Sequence, residues 1–166
     1  PLLKGKKVLV SAMEHHANLV PWQRLAKKEG YDIEIIPITD SFDLNYDVFE
    51  KMMNDDVALV CLPHISNVLG TVVDLEAVYK LCQKHSALFV VDAAQSVGHV
   101  EVNAQHCDFM AFSSHKIGGP SGIGALYGKK ELLSKLEPFL VGGEMVDEVT
   151  YTNATFRESP HRFEAG

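Results

Sequence analysis

The sequence predicts an α/β fold in which a mostly parallel central sheet is built through helical crossovers. Two observations predict it. Short apolar runs rich in Val, Ile, Leu and Phe alternate with longer segments of helical periodicity, and each run is bounded by polar residues, Gly or Pro.

Taken in order, strands are expected at Lys7–Ser11, 32–37, 57–62, 87–91, Phe109–Ser113 and 123–127. Helices are expected at 18–29, 45–53, 74–85 and 129–136. The third helix has Asp74 as a plausible N-cap and sets Leu75, Val78, Tyr79 and Cys82 on one face. Residues 141–166 carry little periodicity, several polar residues and two aromatic anchors, Phe156 and Phe163, and are expected to pack against something outside this sequence.

With 166 residues and 46% hydrophobic content, the chain can bury one real core, so a single domain is expected. A formal charge of −7 without any Lys/Arg run argues against nucleic-acid or anionic-membrane surfaces, which need a basic footprint. No apolar stretch approaches 18 residues. The three cysteines, Cys61, Cys82 and Cys107, are odd in number and form no C-x-x-C pair, which points to a reducing, cytoplasmic setting. Cys61 within a strand and Cys82 on a helix face read as small core residues rather than activated thiols.

Chemistry-bearing residues gather where the strands end: His15 after the first, Asn67 after the third, Asp92 and Gln95 after the fourth, and Ser113, His115 and Lys116 after the fifth. Parallel strands would bring these ends to one edge, where open α/β sheets bind ligands. Asp92 and Lys116 suit pyridoxal 5′-phosphate (PLP), an aldehyde cofactor that a lysine can hold while a carboxylate keeps its pyridine nitrogen protonated. Ser113 and His115 could donate to a phosphate, His15 could lie on the ring, and Asn67 and Gln95 could reach its phenolic oxygen.

Spacing alone leaves plainer readings open. Asp92 could be a turn former or a helix cap, and an Asp–Lys pair is commonly a surface ion pair. Gly118, Gly119, Gly122 and Gly124 lack the Gly-Lys-Ser/Thr ending of a phosphate loop and read as turn formers. The histidines show no ligand spacing joined to Cys or carboxylate partners, so no metal site is expected.

A longer set of motifs carries a resemblance. Met13-Glu14-His15-His16-Ala17-Asn18 is followed by Val20-Pro21-Trp22 and by His64-Ile65-Ser66-Asn67-Val68-Leu69-Gly70. Val91-Asp92-Ala93-Ala94-Gln95, Cys107-Asp108-Phe109, Ser113-Ser114-His115-Lys116, Gly119-Pro120-Ser121-Gly122-Ile123-Gly124 and Arg162-Phe163-Glu164-Ala165-Gly166 complete it. In order and spacing these blocks resemble the Suf-type cysteine desulfurases and selenocysteine lyases, within the class V aminotransferase group of PLP enzymes.

The resemblance implies a three-layer PLP-transferase large domain, a mostly parallel sheet with helices on both faces, occupying residues 1–166. It implies a Schiff-base lysine at Lys116, a pyridinium partner at Asp92 and ring stacking by His15. It also implies contacts from Gln95 and Asn67 to the cofactor ring and its substituents, and phosphate binding by Ser113 and His115. The family reaction removes sulfur from L-cysteine, leaving L-alanine, with Lys116 moving the proton and a cysteine taking the sulfur for a sulfur-acceptor protein. By the same resemblance the enzyme is a homodimer.

Two departures stand out. Ser114 replaces the glycine of the usual Ser-Gly-His-Lys motif, a change expected to tighten the loop while keeping the phosphate donors. None of the three cysteines matches the persulfide position, which the family carries beyond Gly166 together with a substrate-binding arginine in a C-terminal small domain; its phosphate-binding threonine loop lies before Pro1. The chain is therefore expected to be the core of the cofactor-binding domain.

Overall fold

The computed structural model describes Leu3 and residues 5–166. Six strands form one sheet: β1 (Lys7–Ser11), β2 (Asp32–Ile36), β3 (Val57–Pro63), β4 (Leu88–Asp92), β5 (Phe109–Ser113) and β6 (Gly124–Gly128). Their order is β2-β1-β3-β4-β5-β6, and every pairing from β2 through β5 is parallel. The chain crosses between strands through α1 (His16–Glu29), α2 (Tyr46–Met52) and α3 (Leu75–Lys84). This is the expected α/β sheet.

Strand alternation sorts the side chains onto two faces. Leu9, Val60, Leu62, Phe89 and Val91 point to the face covered by α2 and α3, where Phe49, Val78, Tyr79 and Cys82 complete the larger core. Val8, Val10, Leu59 and Cys61 point the other way, toward Leu19 and Trp22 of α1. β3 is buried along its whole length because it is central and covered on both faces. Fully burying a side chain such as Phe89 contributes about 2–3 kcal/mol.

Side-chain caps set the helix starts. Asn45 and Asp74 accept the backbone N–H groups of Val48 and Ala77, at 3.1 and 3.0 Å; Asp74 is thus the N-cap expected of it, while Asn45, placed as the first residue of a helix, caps it instead. α1 begins two residues before its expected start because His15 caps it. It stops at Gly30, whose φ of 76° is the left-handed conformation that ends helices.

The chain forms two compact units, Leu3–Tyr127 and Gly128–Gly166. The second holds the short helix α4 (Lys130–Leu133) and an antiparallel pair, β7 (Val146–Val149) with β8 (Ala154–Phe156). The helix expected over 129–136 is thus shorter, its last residues continuing as tight turns through Leu136. The β7–β8 hairpin was not expected: its strands are short and mostly exposed, and leave no apolar alternation to read.

Candidate functional site

The strand order reverses at β1, with β2 on one side and β3 on the other, and a cavity of about 420 Å³ lies at the C-terminal ends of β1, β3, β4 and β5. That is the crevice in which doubly wound sheets hold ligands, and the size suits a small cofactor. Each of the seven residues singled out from the sequence lines it: His15, Asn67, Asp92, Gln95, Ser113, His115 and Lys116. Pro63, Ile65, Val90, Val91, Ala111 and Phe112 supply apolar wall.

Asp92 is the last residue of β4. Its Oδ1 accepts the N–H of Ala94 at 2.9 Å, a local turn contact that holds the carboxylate in place. The turn-forming reading of Asp92 is therefore correct for one oxygen, and the other has no protein partner among the described residues. Lys116 lies in the short 3-10 turn Ser114–Ile117 that follows β5 and is half-buried. Among the described residues no ion pair joins it to Asp92, although both face the same cavity. The surface-ion-pair reading is not realised.

His15 is exposed at the cavity and accepts the N–H of Ala17 on Nδ1 at 3.1 Å. In the neutral ring this contact assigns the proton to Nε2. Ser113 makes no capping bond with its side chain, so its hydroxyl is free to turn inward. Gly118, at φ 84°, closes the turn that carries Lys116.

Behind the cavity lies a polar network to which the sequence reading assigned no role. Glu14 Oε1 accepts the N–H and the hydroxyl of Ser11, at 3.1 and 2.6 Å. Glu14 Oε2 accepts Asn18 Nδ2 at 2.6 Å. Asn18 Oδ1 in turn accepts Trp22 Nε1 at 3.3 Å and the Cys61 thiol at 2.8 Å. Burial lifts the Glu14 carboxyl to about 7, outweighing the hydrogen bonds from Ser11 and Asn18, with the charge of Asp92 adding to the rise. A signal was available: Glu14, Asn18 and Trp22 follow one another at steps of four, which stacks them along the start of α1.

All three cysteines are buried. Burial pushes the Cys61 and Cys82 thiols well up, against formation of a thiolate. Among the described residues no helix is long and apolar enough to cross a membrane.

The sequence model of the family described as Aminotransferase class-V matches residues 1–166. A probable cysteine desulfurase of Halobacterium salinarum is 46% identical over 164 residues, covering 98% of this chain and 40% of that protein. Among solved structures, the cysteine desulfurase CsdA from Escherichia coli superposes with a TM-score of 0.94 at 37% identity, covering 99% of this chain and 42% of that one. The apo cysteine desulfurase from Thermococcus onnurineus NA1 gives 0.93 at 43% identity, with the same coverage. The chain thus spans about two fifths of the length of these relatives.

Proposed function

Because the chain belongs to the class V aminotransferase family, we propose that it is the cofactor-binding large-domain core of a PLP-dependent cysteine desulfurase. Such an enzyme removes sulfur from L-cysteine, leaving L-alanine and an enzyme-bound persulfide for iron–sulfur cluster assembly or another sulfur acceptor. The observation that carries this reading is the meeting of Lys116, Asp92, His15, Asn67, Gln95, Ser113 and His115 around one cavity, with the ammonium and the carboxylate left unpaired to each other.

The lining fits PLP chemically. A primary amine, a carboxylate with one unengaged oxygen, two imidazoles, three amides and a hydroxyl surround apolar wall, which matches an aldehyde, a ring nitrogen, a phenolic oxygen and a phosphate on a flat ring. When bound, PLP supplies an electron sink for the carbon next to the substrate amine. Lys116 Nζ would tether it, then hold and return a proton. The free Asp92 oxygen would accept the ring N–H and keep it protonated. His15 would cover one face of the ring, Gln95 and Asn67 would orient its phenolic oxygen, and Ser113 and His115 would donate to phosphate.

The sulfur acceptor is assigned outside these residues, since Cys61 and Cys82 are buried with raised thiols and Cys107 is fully buried in the larger core. A homodimer is part of the same reading. The apolar side chains of Val68 and Val72, 80% and 59% exposed, follow Asn67 in the chain and support a covered surface there. The buried free thiols of Cys61 and Cys82 support a reducing, cytoplasmic setting.

The test uses the full-length protein. Incubation with PLP followed by borohydride reduction should leave the cofactor mass on the peptide containing Lys116, and cysteine should yield alanine and sulfide. No adduct in a folded protein overturns the cofactor reading. An adduct with turnover of selenocysteine alone identifies a selenocysteine lyase instead, and an adduct without either reaction points to an aminotransferase or epimerase.

A further inference from the structure

Groups that can only donate stand at both ends of the network behind the cavity. The Trp22 indole N–H has no acceptor function, so Asn18 must turn Oδ1 toward it, and this aims Asn18 Nδ2 at Glu14 Oε2. At the other end the Ser11 backbone N–H can only donate to Glu14 Oε1. Both Glu14 oxygens are thereby held as acceptors. A glutamine in its place would leave a donor facing a donor, at Asn18 or at Ser11, whichever way its amide turned.

We infer that Glu14 is the positioning residue of the cavity: it locks the turn between β1 and α1 that presents His15, and it becomes charged when a cation is seated against Asp92. This rests on the cofactor reading, in which a protonated ring nitrogen is that cation. Ser11 ends β1 and Asn18 lies in the first turn of α1, so the Glu14 carboxylate ties together the two elements between which His15 sits.

The titratable group acting on Glu14 from another element is Asp92 on β4, and Glu14 in turn acts on the Cys61 thiol on β3; His15 and His16 adjoin it on its own turn. Burial is the main opponent of its ionisation and Asp92 adds to it, so a cation on Asp92 removes part of the opposition. By linkage, a charged Glu14 favours that same cation in return.

The test is PLP binding to the full-length apoprotein, followed by absorbance at pH 6, 7 and 8, for wild type and Glu14→Gln. The wild type should bind more tightly throughout, and its advantage should widen about fivefold from pH 6 to pH 8, as expected when binding lowers by one pKa unit a group that starts at about 7. A merely structural role would give a constant ratio, and that result overturns the proposal while leaving the cofactor reading intact. A wild type that takes up no PLP at any pH overturns both.

If Glu14→Gln does not fold, adding Trp22→Phe removes the donor that pins Asn18. Its amide can then reverse and accept from the glutamine. The double variant should fold and bind PLP without the widening; failure to fold overturns the network account.

Discussion

The Asp108 carboxylate accepts the backbone N–H of Phe89 at 2.9 Å, fastening the residue just before β5 to the middle of β4. Asp108 returns its own N–H to the Phe89 carbonyl at 2.9 Å. The strand ending in Asp92 is thus locked in register with the strand leading to Lys116. Asp108→Ala should cost about 2–3 kcal/mol in urea denaturation, since it removes a buried acceptor from an N–H that has no water to turn to. PLP affinity should fall with it, because the register sets the two cofactor groups.

Asp92 combines a turn contact with a charge, and the two can be separated. Asp92→Asn keeps an oxygen for the Ala94 N–H and should melt within a few degrees of wild type. It should weaken PLP binding at least about tenfold, because the neutral amide no longer pairs with a protonated ring nitrogen. Equal loss of stability and of binding would show that Asp92 serves the turn alone.

Ser114 and Gly119 are matched to each other. A Cβ on Gly119 would clash with Ser114 Oγ. Gly119→Ala should therefore destabilise the Lys116 turn by about 1–3 kcal/mol, the usual range for overpacking. Ser114→Gly should recover most of that loss, leaving only a tight contact of 3.2 Å to the Ser114 carbonyl. Thermal melts of the two single variants and the double variant would read the coupling directly.

Glu14 also sets a pH dependence of stability in the unliganded protein. Its folded carboxyl is raised from the ordinary 4.5 to about 7, so its contribution is fully present below pH 4.5 and is lost as pH rises through 7. The loss amounts to roughly 3 kcal/mol. His64 runs the opposite way: burial lowers its folded pKa below 6.5, so its contribution falls as pH drops below that value. Urea denaturation from pH 5 to 8 should show wild type losing stability relative to Glu14→Gln as pH rises.

Much of the first unit was legible because its signals are local. β1 and β5 occupy the expected residues, and the unbroken apolar run Val8, Leu9 and Val10, buried throughout, is the signal of a strand covered on both faces. The cavity residues were legible through topology: parallel strands place their C-terminal ends together, and Asp92 ends one strand while His15, Asn67 and Lys116 follow others. Glu14 acquired no role because its importance depends on the direction of hydrogen bonds from Trp22 to Ser11, which residue spacing does not encode. The β7–β8 hairpin escaped for another reason, since exposed strands such as Ala154–Phe156 owe their form to backbone pairing rather than to an apolar pattern.

The parallel order of β1, β3, β4 and β5 has a kinetic consequence. None of these pairings can form as a hairpin, so each must close a loop containing a helix or a long turn before its hydrogen bonds contribute. His15 and Lys116 stand about a hundred positions apart in the chain. The cavity is therefore a late product of folding, absent from any intermediate in which β5 has not docked on β4. A ligand that recognises the completed cavity cannot guide the early steps; it can only retain chains that have already arrived, and so slow their return to the unfolded ensemble.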